Sequence, residues 1–298
     1  MKKASEWLLS FNTQESRHVK HLIDQRKEKF NKTVTASITG GKGGVGKTSI
    51  SLKLSKELSN LGFKVLLIDC DTNLSNTSIK LGLPLSNTFF SLVSAEKTFD
   101  ECLHKDENFH LLSACNGSLD LFDSKLNLEE VIIDIINTHE DEYDFIFLDC
   151  PAGLNKEALT LNAYCDQRIV VVTPDRASIT DSYSLIKVLN HKYGVKENHL
   201  IVNMCHSQVQ YQQVVKTMSE TVENFLSART HILGGVSKLD VIQGRFDDTF
   251  LGSAESSTTK EFSKIINRYT EELSRTHVES EVSHTQSVNT LEQEVHIS

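Results

Sequence analysis

The chain has 298 residues with 31 Lys and Arg against 40 Asp and Glu, so its formal net charge is −9. This length allows one large α/β domain or two small ones, and an apolar fraction of 39% excludes a wholly disordered chain. No run approaches the roughly 18 apolar residues that a membrane span needs. No apolar region follows the basic start Met1-Lys2-Lys3, so no signal peptide is expected. The six cysteines form no C-x-x-C pair, which favours free thiols in a cytoplasmic protein.

The charge is distributed unevenly along the chain. Residues 1–32 hold eight Lys or Arg and four Asp or Glu, a charge of +4, which leaves −13 for the remaining residues. Residues 277–298 contain four Glu and neither Lys nor Arg. A basic front segment and an acidic tail therefore flank an acidic body, and this balance argues against a large DNA-binding face.

The first predicted elements lie in the basic segment, where apolar residues at helical spacing indicate a short helix, a break at residues 10–13 and a second helix. Residues 33–39 then predict a strand, which a dense glycine cluster follows. A helix is predicted over about 48–61, and Gly62 ends it as a C′ glycine. Residues 63–69 predict a second strand, apolar enough to be buried on both faces.

Strands and helices alternate along the rest of the chain. Strand patterns cover residues 109–113, 145–149, 168–173, 199–203 and 231–236, and helix patterns cover residues 128–138, 154–164, 177–191, 207–226 and 258–273. This alternation is typical of βαβ units. The predicted fold class is therefore α/β, with a doubly wound, mostly parallel sheet and helices on both faces.

A phosphate-binding loop lies between the first predicted strand and the following helix. Residues 41–48 read G-K-G-G-V-G-K-T and fit the pattern G-x-x-x-x-G-K-[ST] in full. Backbone N–H groups can wrap a polyphosphate only where the chain comes close and takes positive φ, which glycine permits. Lys47 is expected to reach the β- and γ-phosphates, and the Thr48 hydroxyl is expected to bind Mg²⁺. A glycine-rich structural turn is the alternative, which the strand–loop–helix context disfavours.

Carboxylates stand at the ends of two predicted strands. Asp149 ends the strand over 145–149, where a Walker-B acid holds Mg²⁺, and Asp69 and Asp71 stand at the end of the strand over 63–69. The carboxyl ends of parallel strands meet at the edge of a sheet where ligands bind. An isolated Asp there is more often a cap or turn residue, but two such positions beside a phosphate loop favour a functional role.

The nine residues 40–48, G-G-K-G-G-V-G-K-T, resemble the deviant Walker A motif of the MinD/ParA class of P-loop ATPases. The resemblance covers about residues 33–270. It implies ATP and Mg²⁺ as cofactors and a sandwich homodimer that forms with ATP. By this resemblance Lys42 reaches the ATP of the partner subunit, while Lys47 acts within its own subunit.

The same resemblance assigns roles to the carboxylates. Asp71 matches the aspartate that orients the attacking water, and Asp149 matches the Walker-B acid. Asp69 is expected near the magnesium shell. Residues 149–153 (D-C-P-A-G) match the segment that senses the γ-phosphate.

Within this class the chain is similar to the flagellar-number regulators called FlhG or FleN. Residues 178–190 (S-I-T-D-S-Y-S-L-I-K-V-L-N) and 202–204 (V-N-M) carry this similarity. It implies an ATP-dependent dimerisation switch that controls flagellar number or placement, with slow, partner-stimulated hydrolysis and with Asn203 in contact with adenine. The implied partners are a signal-recognition-type GTPase like FlhF and a flagellar transcription regulator or basal-body protein. The chain lacks the N-K-x-D signature of a GTPase.

The basic front segment departs from the pattern of this subgroup. Its members often carry an N-terminal D-Q-A-x-x-L motif that binds FlhF, and here residues 24–30 read D-Q-R-K-E-K-F, which keeps only the D-Q. The apolar positions Val19, Leu22 and Ile23 could still dock on a partner. A solvated arm is the equal alternative.

Three other functions remain open as alternatives. A ParA-type ATPase that partitions DNA or cargo would need a basic stripe, which the acidic balance disfavours. A nucleotide-gated scaffold would show little hydrolysis. An iron–sulfur role would need paired bridging cysteines, and Cys70 and Cys150 are better explained as small apolar fillers at strand ends.

The helix predicted over 258–273 has an apolar stripe that includes Phe262, Ile265 and Tyr269. Related ATPases grip membranes with a C-terminal amphipathic helix, but here acidic residues offset the basic ones, so packing on the protein's own core is favoured. A cytoplasmic location is expected, with a peripheral position at the inner membrane face or cell pole as the alternative.

The sequence thus predicts a basic helical arm (1–32), a P-loop ATPase domain (33–275) and a disordered acidic tail (276–298). The predicted catalytic residues are Lys42, Lys47 and Asp71, and the predicted metal ligands are Thr48, Asp69 and Asp149. The predicted nucleotide-binding residues are Gly41, Lys42, Gly43, Gly44, Val45, Gly46, Lys47, Thr48, Ser49 and Asn203.

Overall fold

A computed structural model describes residues 33–71, 77–84, 88–113, 127–241, 244–252 and 256–275. The strands are β1 (Val34–Thr39), β2 (Val65–Asp69), β3 (His104–Asp106), β4 (Phe109–Leu112), β5 (Phe145–Asp149), β6 (Gln167–Val172), β7 (Glu197–Cys205) and β8 (Arg229–Ser237). In this part of the chain they form one eight-stranded sheet in the order β3-β4-β2-β5-β1-β6-β7-β8. All neighbours are parallel except β3, which runs antiparallel to β4.

The helices alternate with the strands. They are α1 (Lys47–Asn60), α2 (Thr77–Lys80), α3 (Thr88–Val93), α4 (Phe99–Cys102), α5 (Leu128–His139), α6 (Lys156–Tyr164), α7 (Arg176–Tyr193), α8 (Gln208–Leu226), α9 (Phe246–Leu251) and α10 (257–275), with a short 3₁₀ turn at Glu140–Glu142. No helix among the described residues is long and apolar enough to cross a membrane.

The central strands are buried on both faces, as their continuous apolar runs predict. Successive side chains of β5 point to opposite faces of the sheet. Leu148 lies in an apolar cluster with Ile136 of α5 and Leu161 of α6. The next residue, Asp149, is bonded to Ser51 of α1. Helices therefore cover both faces, which is the doubly wound arrangement that the sequence predicts.

The order of the strands creates a crevice beside β1. The chain leaves β1 through α1 and reaches β2 on the far side of β5, whereas it leaves β5 through α6 and reaches β6 on the far side of β1. The winding direction thus reverses between these strands. In open α/β sheets ligands bind at such a reversal, outside the carboxyl ends of the strands.

The long predicted elements are confirmed within a few residues. Gly62 has φ +88°, as the C′ position requires. The short elements β3, α2, α3, α4 and α9 are absent from the sequence prediction, because three to six residues give too little periodicity to recognise. The predictions for the arm (1–32) and the tail (276–298) fall outside the described residues.

The last helix places the apolar residues of its first half in the protein's own core. Phe262 is fully buried and meets Phe250 edge to face, with ring centroids 5.8 Å apart. Ile265 lies against Gly234 of β8, where an added Cβ would be 2.8 Å from the Ile265 side chain. The preference for core packing over a membrane contact is confirmed for these two residues.

The described residues separate into one compact unit over residues 33–265 and a second unit that begins at Ile266. The described part of the second unit is the end of α10, residues 266–275. Ile266, Tyr269 and Leu273 are buried there.

Lys53 of α1 is fully buried, an unusual position for a lysine. Its Nζ lies 2.7 Å from Glu57 Oε1 and donates to the Gly252 carbonyl at 2.7 Å. A weaker contact of 3.4 Å joins it to Thr259 Oγ1. This ammonium therefore connects α1, the helix that follows the phosphate loop, to the end of α9 and to the first turn of α10.

We expect Lys53→Ala to lower the free energy of unfolding by about 3–5 kcal/mol, because it leaves Glu57 as an uncompensated, poorly solvated charge. Urea unfolding measures the change, and Lys56→Ala, a partly exposed lysine on the same helix, is the matched control. Replacing both partners, as in Lys53→Met with Glu57→Leu, should recover much of the loss. Equal stability of Lys53→Ala and Lys56→Ala would contradict this account.

Candidate nucleotide-binding site

The phosphate loop occupies residues 40–46, between the end of β1 and the start of α1. Gly46 is the N-cap residue of α1 and has φ +93°, a left-handed conformation that residues other than glycine rarely adopt. Around Gly43 and Gly44, an added Cβ would meet nothing within 4 Å. The middle of the loop is therefore open, and the N-terminus of α1 begins directly behind it, as an anion-binding loop requires.

The first half of the loop rests on the backbone of α7. An added Cβ at Gly41 would lie 2.1 Å from the carbonyl carbon of Asp181, so no larger residue fits there. The Gly41 N–H also donates to Ser182 Oγ at 3.4 Å. The glycine at this position is required by a close approach of two backbones.

Lys42 extends to the beginning of α7. Its Nζ lies 3.0 Å from Oδ1 of Asp175, the N-cap residue of that helix. Hydrogen bonds from the Thr173 hydroxyl, the Ser178 N–H and Lys42 lower the pKa of Asp175 from 3.8 to about 2. Both partners are nearly half exposed, so the ion pair contributes little to stability.

Two buried carboxylates lie side by side behind the loop. Asp69 and Asp149 are register partners at the ends of β2 and β5, and they are 1% and 2% exposed. Asp149 Oδ1 is 3.1 Å from the Ser51 hydroxyl, and it is also bonded to the Thr48 hydroxyl. The prediction that the carboxylates and the loop meet at one edge of the sheet is confirmed.

Asp69 is held by the segment that follows it. Its Oδ2 accepts a hydrogen bond of 2.6 Å from the Thr77 hydroxyl, and its Oδ1 accepts one of 3.0 Å from the Asp71 N–H. Asp71 itself is partly exposed beside the site.

The electrostatics of this pair favour a bound cation. Burial and then the neighbouring Asp69 charge raise the pKa of Asp149 from 3.8 to about 7, and the Thr48 hydroxyl and the Lys47 charge oppose the rise. A cation between these oxygens would relieve the repulsion. Carboxylate and hydroxyl oxygens are hard ligands that suit Mg²⁺, which binds through one or two carboxylates together with water and substrate phosphate. Thr48, Asp149 and Asp69 therefore fit the predicted metal.

Asn203, at the carboxyl end of β7, also lies at the loop. Its Nδ2 donates to the Val45 carbonyl at 2.8 Å. The structure thus gathers at one site residues 41–48, the two buried carboxylates, Asp71 and Asn203. Ser49 is buried in the first turn of α1.

Three residues of the site are missing from the sequence prediction. Ser51 contacts Asp149, Thr77 contacts Asp69 and Asp175 contacts Lys42. The pattern D-x-x-S at residues 175–178 could have marked Asp175 as a helix cap. Ser51 is one helical turn after Lys47, but no spacing rule connects it, or Thr77, to the carboxylates.

Two cysteines follow the buried carboxylates. Cys70 and Cys150 are buried in the apolar cluster on the opposite face of the sheet and are free thiols. Burial, followed by a hydrogen bond with Cys150, raises the pKa of the Cys70 thiol well above its ordinary value. Such a thiol is a poor nucleophile and a poor metal ligand, which agrees with a packing role for Cys70.

A family model described as an AAA domain, AAA_31, matches residues 33–202, more than half of the sequence, so the chain belongs to this family. Within it the chain is a P-loop ATPase of the MinD/ParA class.

The relatives include an antiactivator and septum site-determining proteins. The antiactivator FleN of Pseudomonas aeruginosa is 28% identical over 199 residues, which are 66% of this chain and 71% of FleN. A septum site-determining MinD protein of Guillardia theta, with that role still putative, is 33% identical over 177 residues, 58% of this chain and 64% of that protein. The structure of Pyrococcus horikoshii MinD complexed with Mg-ADP has a TM-score of 0.64 at 24% identity and covers 81% of this chain and 96% of its own. At this level of identity, the likeness shows that the two proteins share a fold.

We expect Asp149→Asn to stabilise the nucleotide-free protein at pH 8 by about 1–3 kcal/mol while it abolishes Mg²⁺-dependent nucleotide binding. The folded-state pKa of Asp149 is raised, so the wild type loses stability as the pH rises from about 4 through 7. The Asp149→Asn variant has no ionisable group at this position, so its stability does not fall over this pH range. Urea unfolding at pH 5 and pH 8 measures the difference in stability between variant and wild type, with Asp134→Asn on the exposed face of α5 as control. A variant that is destabilised at pH 8 would refute the electrostatic account.

Proposed function

We propose that the chain is a MinD-like ATPase whose ATP-dependent dimerisation regulates flagellar number or placement through partner proteins. The observation that carries this proposal is the deviant loop over residues 40–48, which places a second lysine, Lys42, at a nucleotide site backed by two carboxylates. The similarity to FleN supports the flagellar role. Hydrolysis is proposed to be slow and stimulated by a partner.

The loop and α1 bind the triphosphate of the substrate ATP. The open backbone around Gly43 and Gly44 and the N-terminus of α1 offer N–H groups to the phosphates, and Lys47 offers its ammonium. Mg²⁺, held by Thr48 and Asp149 with Asp69 nearby, would neutralise the charge that develops on the transferred group. Burial behind the loop strengthens each of these interactions.

Lys42 supplies the link between nucleotide and dimer. In the single chain its ammonium pairs with Asp175, an exposed and therefore weak contact. Breaking this pair costs little free energy. Closure of two subunits can therefore transfer Lys42 to the triphosphate of the partner subunit, where the denser negative charge attracts it more strongly.

The face around the nucleotide also carries exposed apolar side chains. Ile79, two residues after the Thr77 that contacts Asp69, is 57% exposed, and Leu154, five residues after Asp149, is 47% exposed. Apolar residues next to a polar site suit an interface that forms only in one nucleotide state. In this proposal Asp71 holds the attacking water, and the segment after Asp149 moves when the γ-phosphate leaves.

Asp71→Ala should give a stable dimer with ATP and a monomer with ADP, because the triphosphate holds the dimer and the water for hydrolysis is no longer oriented. Size-exclusion light scattering measures both states, and phosphate release should fall by about a hundredfold or more. Lys47→Ala, which loses a phosphate contact within its own subunit, is the monomeric control. An Asp71→Ala protein that stays monomeric with ATP and with ADP would exclude the switch.

The proposed GTPase partner can be tested through the basic front segment. If residues 1–32 recruit a GTPase like FlhF, their deletion should weaken binding of that purified GTPase at least tenfold while ATP-dependent dimerisation persists. The full-length double variant Lys27→Glu, Lys29→Glu is the second test, because it reverses charge without shortening the chain. Undiminished binding by both variants would assign the contact to another surface. A full-length wild type that does not bind the GTPase would show that a role in flagellar regulation needs a different partner.

A further inference from the structure

Asn203 joins two segments that are far apart in the chain. It lies at the carboxyl end of β7, is 4% exposed, and donates from Nδ2 to the carbonyl of Val45 at 2.8 Å. Val45 is 1% exposed, so water has little access to this carbonyl. A buried carbonyl that loses its donor keeps the full cost of its desolvation. The contact therefore fixes the backbone two residues before Lys47.

The other end of the amide is occupied as well. Asn203 Oδ1 accepts the N–H of Met204 at 2.9 Å. Met204 has φ +57°, a left-handed conformation that is uncommon for a residue other than glycine. Because both ends of the amide are bonded, the side chain has one orientation, and its Nδ2 is directed at the loop.

Asn203 also lies directly against Gly46. A Cβ added to Gly46 would be 2.4 Å from Nδ2 of Asn203 and 3.6 Å from Cε of Met204. The asparagine thus fills the space behind the loop at the residue that begins α1. Gly46 is therefore bounded chiefly by this one side chain.

We propose that Asn203 is a positioning residue of the phosphate loop. By holding Val45 and bounding Gly46, it aims the N–H groups that start α1, together with Lys47, at the phosphates. Its effect is then on the affinity for the polyphosphate, whatever base the ligand carries. The inference rests on the proposed nucleotide-binding function, and it differs from a contact with adenine, which would act through the base alone.

A ligand without a base separates the two roles. Titration calorimetry with ATP, GTP and pyrophosphate, each with Mg²⁺, is applied to the full-length wild type, Asn203→Ala and the bulkier Asn203→Leu. We expect both variants to lose affinity for ATP and for pyrophosphate by the same factor, roughly tenfold, from one lost hydrogen bond to a buried carbonyl. The ratio of ATP to GTP affinity should stay within about twofold of the wild type.

Asn198→Ala is the matched control, because Asn198 is a fully buried asparagine at the opposite end of the same strand. It should leave the affinity for pyrophosphate unchanged although it also perturbs β7. Thermal unfolding without ligand reports the fold of each variant. If Asn203→Ala does not fold, Asn203→Leu, which leaves no cavity but has no donor for the Val45 carbonyl, carries the test.

Hydrogen exchange in the nucleotide-free protein supplies a readout that needs no ligand. The amides of residues 45–48 should exchange faster in the Asn203 variants and at the wild-type rate in Asn198→Ala. Unchanged affinity for pyrophosphate with reduced affinity for ATP would overturn the proposal in favour of a base contact, and unchanged exchange with unchanged affinities would show that Asn203 has no effect on the loop. A wild type that binds neither ATP nor pyrophosphate would refute the proposed function, and the exchange rates would still test the role of Asn203.

Discussion

The pairing of β2 with β5 places two carboxylates next to each other in a region that water hardly reaches. Asp69 and Asp149 are adjacent because the register of two parallel strands leaves them at the same level. The cost of this arrangement is visible in the raised pKa of Asp149. Neighbouring groups reduce it, since hydroxyls from Thr48 and Ser51 on α1 and from Thr77 on α2 donate to the pair. The site is thus organised around negative charge that a bound cation would offset.

The loop in front of these carboxylates is fixed at both ends and open in the middle. Its beginning rests on α7 through Gly41, and its end is held by Asn203 on β7. These contacts come from two different elements on the same side of β1. Ordering the loop before a ligand arrives reduces the entropy that binding must overcome. The exposed glycines between the two ends keep the space in which phosphates can approach the backbone.

Sequence patterns were sufficient to predict those parts of the fold and the site that depend on residues close together in the chain. Residues 41–48 are contiguous, and the aspartates stand at the ends of apolar runs, so the loop, the central strands and the carboxylate edge could be predicted. Thr77 and Asp175 could not be predicted as site residues, because each acts through a partner that only the folded chain brings near. The same limit applies to Asn203. The resemblance to a family gave it a role toward adenine, whereas its contact with Val45 bridges 158 positions of the chain.

The two ends of the loop differ in how they could respond to genetic change. Gly46 is bounded mainly by a side chain, so a second substitution at residue 203 could make room for a larger residue there, at the expense of backbone strain. Gly41 is bounded by the main-chain atoms of Asp181 and Ser182. No substitution in α7 removes those atoms. A Gly41→Ala change is therefore harder to suppress than a change at Gly46, since relief requires α7 itself to shift.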